Sequence, residues 1–231
     1  FVVDNASSDG SVAVAERYAA SDGRVRVLRH SENIGAEGNF NRCLKLASGK
    51  YTAIYHADDV YTPTIVEEEV SFLERNPRAG AVFTMARDID ADGKPGMLYK
   101  LPSELKKPDG LYEFAEIFRA LLKYGNFFMC PSAMARTEVY RDHIKVWDAA
   151  AYGNSADLDV WLRILKVSPV GILPAPLLHY RGASGSSFSY SAIRKRTGRH
   201  DMLKVFDAYI AGAAAGLRGN EERFVYKMRG A

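Results

Sequence analysis

The chain has 231 residues, a mass of 25.6 kDa and a formal net charge of +3. With 47% hydrophobic and 26% charged residues, its composition excludes a disordered, collagenous or coiled-coil protein. No apolar run approaches the roughly 18 residues a membrane helix needs. Cys43 and Cys130 form no CxxC pair, which excludes a disulfide framework or cysteine-based zinc site and fits two buried, reduced thiols. The charge is uneven. From Arg181 onward there are ten Lys/Arg against four Asp/Glu, so a basic tail follows a slightly acidic body. Such a tail fits an anionic partner (a phosphate-rich substrate, an anionic membrane surface or nucleic acid) or simply a solvated basic helix.

The first hundred residues alternate strand and helix signals. Phe1–Asp4 reads as the end of a buried strand, so the chain is expected to lack an upstream strand and helix. Ser11–Ser21 has helical periodicity, and Arg24–His30 alternates as a strand. Ala36–Ser48 reads as a helix that Gly49 would cap in the left-handed conformation. Tyr51–His56 reads as a strand. Pro63 opens a helix with Glu67, Glu68 and Glu69 in its first turns, ending at Asn76-Pro77. Ala79–Ile89 reads as a strand, and residues 92–96 as a tight turn. Leu111–Lys123 is expected to be helical, Ser132–Thr137 a strand and Ala156–Lys166 a helix. Val170–Arg181 is extended and broken by prolines. A serine- and glycine-rich loop, residues 182–191, precedes a basic helical extension over residues 191–231. The alternation predicts one α/β domain over residues 1–190 with a mainly parallel sheet. Ligands of such sheets sit beyond the carboxyl ends of the strands, where Asp4, Asp58 and Asp59 fall.

Four clusters can carry chemistry. Asp58 and Asp59 end a strand side by side, and like charges so close need a cation or a turn to hold them. They are either a Mg²⁺ or Mn²⁺ grip on a diphosphate or an Asx-turn. Asp4 ends the first strand and can accept a ring N–H of a pyrimidine, whereas Asp9-Gly10-Ser11 reads as turn and capping chemistry. Asp157 and Asp159 lie on different faces of one helix. Asp157, at the helix start, is favoured as an ionised base by the dipole or is a plain N-cap. Arg181 can bind phosphate oxygens, and the loop after it can close as a lid. The five histidines have no HExxH or HxxxH spacing, and GxGxxG and GxxxxGK[ST] are absent.

Six segments taken together resemble the family 2 glycosyltransferases of GT-A fold. VVDNASSDGS (residues 2–11) is similar to that family's VVDDGSTDGT. NIGAEGNFNRCLKLASGKY (33–51) resembles its N-x-G…A-x-G-x-Y stretch. YTAIYHADDVYTP (51–63) resembles its strand-end D-x-D-D…P element, and CPSAMARTEVY (130–140) its S-x-x-x-R-x-E stretch. SADLDVWLRI (155–164) resembles its E-D-x-D-L-W-L-R-L helix, and LLHYRGASGSS (177–187) its Y-R-x-H-x-x-S close. The order and spacing are those of the family from residue 1 to about 190. His56, Ala156 and Ala183 depart from it, standing where the family has Asp, Glu and His.

The resemblance implies a GT-A fold and an inverting transfer from a UDP- or dTDP-sugar to a hydroxyl of a glycan or lipid-linked acceptor. It implies Asp4 on the pyrimidine, Asp58 on ribose or metal, Asp59 on Mn²⁺ or Mg²⁺, Arg181 on the diphosphate and Asp157 as catalytic base. It also implies a cytoplasmic enzyme of polysaccharide synthesis, peripheral at the inner membrane face through its basic tail, with no nucleic-acid partner. The three departures leave a second reading, a non-catalytic relative that binds nucleotide or glycan.

Overall fold

Strand β1 (Val2–Asp4) pairs in parallel with β2 (Val27–Arg29) in the computed structural model, which describes residues 1–181 and 200–211. Helix α1 (Ser11–Ser21) crosses between them and buries Val12 and Ala15. The hydrogen bonding outruns the short strands, because Val2 N–H reaches Arg26 O at 2.8 Å and His30 N–H reaches Asp4 O at 3.2 Å. The expected strand is present, but the expected burial is not. Phe1 and Val2 are exposed, and β1–β2 form a ladder separate from the main sheet.

Helix α2 (Gly35–Leu46) leads to β3 (Tyr51–Ala53) and then β4 (Val60–Tyr61). Helix α3 (Ile65–Arg75) is followed by the long β5 (Ala81–Ile89) and its hairpin partner β6 (Pro95–Leu98). The tight turn between them has Gly93 at φ +83°. After β7 (Leu111–Tyr112) come α4 (Phe114–Tyr124), β8 (Ala133–Arg136), α5 (Ala156–Val167), β9 (Val170–Tyr180) and α6 (Asp201–Ala211).

The main sheet has seven strands, ordered β3-β8-β5-β9-β4, with β6 on β5 and β7 on β9. The α/β architecture is as the sequence implied, but the sheet is mixed rather than mainly parallel. Only β5–β9 is parallel within it, and the other pairings are antiparallel. The antiparallel pairings come from β8, inserted between β3 and β5, from the β5–β6 hairpin, and from the two-residue strands β4 and β7 on β9.

The alternation of β5 divides the core. Ala81, Phe83 and Met85 face a large cluster built with α4, α5 and α6, while Val82 faces a smaller one with Phe72 and Leu73 of α3. Gly171 of β9 lets the Phe72 ring lie directly on the strand, where any Cβ would collide with it. Nearly every side of α5 is buried, which fits its apolar run and its place under the sheet.

Several boundaries move for identifiable reasons. Helix α2 ends at Leu46 because Ala47 turns extended toward β3, and Gly49 is not left-handed. The glycine that does need positive φ is Gly35, at +79°, where α2 begins. The expected strand Tyr51–His56 stops at Ala53, the last residue that pairs with β8, and the His56 N–H goes to the Tyr61 hydroxyl instead. Leu111–Tyr112 is a strand on Val170 and Gly171 rather than the first helical turn. A capping box between Glu113 and Glu116 then starts α4 at Phe114. The serine- and glycine-rich loop, Ala183 and most of the basic extension lie outside the described residues. No helix among the described residues is long and apolar enough to cross a membrane.

Candidate functional site

The segment leaving β3 builds the centre of the site. Beyond Ala53 the chain has no strand partner, and side chains take over the backbone groups. Tyr61 accepts the His56 N–H at 2.7 Å through its hydroxyl and packs its ring on Tyr55 at 4.4 Å. The Tyr55 hydroxyl donates to the buried Glu69 of α3 at 2.7 Å. The His56 ring stacks on Phe40 of α2, with centroids 5.4 Å apart and planes 15° from parallel. Phe40 meets Trp147, Trp147 meets Trp161 of α5, and Trp161 meets Phe83 of β5, at centroid distances of 4.8, 5.6 and 5.0 Å. A chain of rings thus ties His56 to the middle of the core.

This support gathers His56, Asp58 and Asp59 so that one potential ligand atom from each lies within 4.8 Å of the others. Asp58 is exposed and Asp59 half-buried. Asp59 Oδ1 accepts the Arg181 backbone N–H at 2.8 Å, while Asp59 Oδ2 is buried without a hydrogen-bond partner. Burial pushes the Asp59 carboxyl up to about 6, the Asp58 charge adds to this, and the Arg181 N–H opposes it. Burial also lowers His56 below its ordinary 6.5, against the pull of Asp58, so the imidazole is neutral at pH 7 with a lone pair to offer. A buried carboxylate oxygen lacking a donor, a second carboxylate and a neutral imidazole are a donor set that fits a divalent cation.

Cys130 lies against this group, with Sγ 4.0 Å from His56 Nε2. Burial raises its thiol well above the ordinary range, and the charges of Asp157 and Asp59 add to the effect. Cys130 is therefore a protonated thiol at neutral pH, and the carboxylates of Asp157 and Asp59 both act on it. Asp157 opens α5, as expected, but the helix terminus does not dominate its ionisation. Burial pushes it up to about 6, against the N–H groups of Leu158 and its own residue. It remains mainly ionised at pH 7 and is a stronger base than a surface aspartate.

Asp159 is buried in a structural role. It accepts from Arg163 Nε at 2.8 Å and from the Tyr209 hydroxyl at 3.0 Å. Asp4 accepts the Ser7 N–H on both oxygens, at 3.3 and 3.2 Å, and Asp9 accepts the Ser11 N–H at 2.9 Å as turn chemistry. Asp4 sits on the two-stranded ladder, which α2 ties to the rest. Asn39 Nδ2 donates to Val3 O at 3.1 Å and Arg42 to Asn5 Oδ1 at 3.2 Å, on the helix that also presents Phe40 to His56. The Arg181 guanidinium donates to the carbonyls of Asp58 and Ala91 at 2.8 Å each, and to that of Asp90. It clamps two loops together beside Asp59.

His56 and Cys130 are the members of this group that motif reasoning passed over. His56 stands two residues before Asp58, at the position of a family carboxylate, and that spacing was the available signal. Nothing in the sequence marked Cys130 as a site residue, because the groups that act on it, His56, Asp59 and Asp157, come from distant parts of the chain.

A model of the family described as "Glycosyl transferase family 2" matches residues 1–144. An uncharacterized glycosyltransferase of Methanocaldococcus jannaschii is 26% identical over 181 residues, 78% of this chain and 58% of the relative. The putative glycosyltransferase EpsE of Bacillus subtilis is 29% identical over 165 residues, 71% of this chain and 54% of its own length. The chain thus spans little more than half of these relatives. The fold is similar to that of S. aureus TarS 1–349 solved in complex with UDP-GlcNAc, with a TM-score of 0.66 at 15% identity over 99% of this chain and 61% of that one. The TarS structure in complex with UDP gives a TM-score of 0.64. With its family match covering well over half its length, this chain belongs to glycosyl transferase family 2.

Proposed function

We propose that this chain carries the donor-binding and catalytic part of an inverting glycosyltransferase that moves a sugar from a UDP- or dTDP-sugar to a hydroxyl of a glycan or lipid-linked acceptor. The observation that carries the reading is the His56–Asp58–Asp59 group with its orphaned Asp59 oxygen, beside a thiol that also feels Asp157. TarS, of the same fold, was solved with UDP and with UDP-GlcNAc, which supports a nucleotide-sugar donor. A Bacillus subtilis relative, 31% identical over 94 residues, is the putative teichuronic acid glycosyltransferase TuaG, which supports a role in polysaccharide synthesis.

Asp59, Asp58 and His56 would hold the divalent cation, and the imidazole in this set favours Mn²⁺ over Mg²⁺. Bound there, the cation supplies neutralisation of the charge that develops on the leaving diphosphate. Asp4 accepts a pyrimidine N–H. Arg181 keeps the loops of Asp58 and Asp90 closed and adds positive charge next to the diphosphate. Asp157 takes the proton of the acceptor hydroxyl, whose oxygen attacks the anomeric carbon opposite the diphosphate and inverts it. The test is transfer and hydrolysis of UDP- and dTDP-sugars by the full-length enzyme, with Mn²⁺ and with chelator. Mn²⁺-dependent release of nucleoside diphosphate supports the reading. Mn²⁺-dependent UDP binding without turnover identifies the non-catalytic relative instead.

A further inference from the structure

A second concave site lies at the opposite end of β3. A cavity of about 550 Å³ opens where α2 hands the chain to that strand, lined by Lys45, Lys50, Arg136, Arg141, Lys145 and Glu138 among others. It shares no lining residue with the His56–Asp59 group. Five cations face one carboxylate. Lys50 is paired with Glu74 at 2.7 Å and Arg141 with Asp142 at 2.7 Å, both on the outside. The Arg136 guanidinium donates to the carbonyls of Leu73, Asn76 and Ala79 rather than to a carboxylate. Lys45 and Lys145 have no ion pair among the described residues.

Lys145 is held at the cavity by a strained backbone. Its φ is +63° and its ψ −43°, and the Val146 N–H closes a 2.7 Å bond to Ile144 O across it. This is a three-residue turn with positive φ, a rare and costly conformation for a residue with a Cβ. Such strain persists only where the surroundings over-determine it. Here Arg163 donates to Ile144 O at 2.6 Å and to Val146 O at 2.7 Å, and Asn41 accepts the Trp147 N–H at 2.9 Å. The fold thus fixes a lysine in a conformation that glycine would adopt without strain, at the edge of a basic cavity.

We infer that this cavity binds a phosphate-bearing anion, at a site separate from the donor site. Ammonium groups act as point charges that reach a tetrahedral phosphate from several sides, whereas the forked arginines here are already engaged. The volume exceeds that of one phosphate and falls in the range of small-molecule sites. The ligand is a soluble phosphorylated compound or a phospholipid headgroup, and both present the same chemistry.

Calorimetry with tripolyphosphate at low ionic strength, in chelator so that the metal group is silent, tests the first source. Co-sedimentation with phosphatidylglycerol/phosphatidylcholine vesicles, against phosphatidylcholine alone, tests the second. Lys45→Gln/Lys145→Gln should weaken whichever binding the wild type shows by at least tenfold and leave Mn²⁺-dependent sugar transfer unchanged. Lys145→Gly should raise the melting temperature while weakening the same binding, which separates loss of the ligand contact from loss of the fold. Binding of tripolyphosphate alone assigns a soluble ligand, and binding of anionic vesicles alone assigns a headgroup. Absence of both, or wild-type affinity in the double variant, overturns the inference.

Discussion

Two carboxyls with the same displacement have different surroundings in this chain. Asp157 and Asp59 are both pushed up to about 6 by burial, yet only Asp59 has a buried oxygen with no donor. Asp157→Asn should keep Mn²⁺-dependent UDP affinity and lower transfer by about two to four powers of ten, the weight of a general base. In the wild type kcat/KM should rise with pH through about 6 as Asp157 loses its proton, and steady-state rates over pH 4.5–8 check this. Glu69 is the more extreme case. It is fully buried, and burial raises it from 4.5 to about 8 against the pull of the Tyr55 hydroxyl. Below pH 4.5 the folded and unfolded chains both carry this proton, and its contribution to stability is complete. As pH rises toward 8 the unfolded chain has released the proton and the folded chain has not, so stability falls, by on the order of 4 kcal/mol over the interval. Glu69→Gln should flatten that slope. Melting curves at pH 4.5 and 8.5 should show the Gln variant gaining on the wild type as pH rises, and parallel curves would refute the assignment.

Among the elements, α5 links the core and the proposed site most directly. Asp157 opens it, Trp161 carries the ring chain toward His56, and Asp159 with Arg163 fixes the turn that holds Lys145. Helix α6 closes over α5 and α4, placing Phe206 edge-on to Phe118 with centroids 5.9 Å apart and hydrogen-bonding Tyr209 to Asp159. Phe206 is completely buried. Phe206→Ala should therefore cost about 3–5 kcal/mol, the range for emptying a large aromatic site. Urea unfolding should show a lower midpoint with an unchanged slope if the change is one of stability alone. A cost near zero would mean that α6 does not dock as described. The π-helical turn at Tyr140–Ile144 belongs to this scale too, since it delivers the chain to the strained residue Lys145.

At the scale of the whole molecule, the site is assembled from distant parts of the chain: the end of β3, the end of β9, the start of α5 and Cys130 before β8. A ligand that binds only this assembled state should stabilise the whole fold. UDP with Mn²⁺ at about 100 times its Kd adds about 2.7 kcal/mol by mass action. The melting temperature should rise accordingly, fall back on adding chelator, and stay unmoved in Asp59→Asn. A rise that is indifferent to both chelator and Asp59 would place the nucleotide elsewhere.

Much of this molecule is written locally. Apolar spacing marked α1, because a helix buries one stripe and the stripe repeats along the chain, while Pro63 and the Asn76-Pro77 stop bracketed α3. The adjacent acids Asp58 and Asp59 were legible because two like charges side by side need a cation or a turn to hold them, although in the fold they lie in the turn before β4 rather than at a strand end. The family was legible from six short segments in order. What the sequence could not determine depended on partners brought from elsewhere. Tyr51–His56 is strand-like in pattern, yet the ladder with β8 ends at Ala53 and the His56 N–H is taken by the Tyr61 hydroxyl. Leu111–Tyr112 has a helical pattern and became a strand because Val170 and Gly171 offered an open edge. His56 looked like a lost carboxylate until the ring of Phe40 and the hydroxyl of Tyr61 turned it back to the acids. The pKa of Asp157 could not be read from its place at a helix start, because desolvation depends on what the rest of the fold packs around it. Spacing along the chain decides which residues face together, and only tertiary packing decides which groups lose their water.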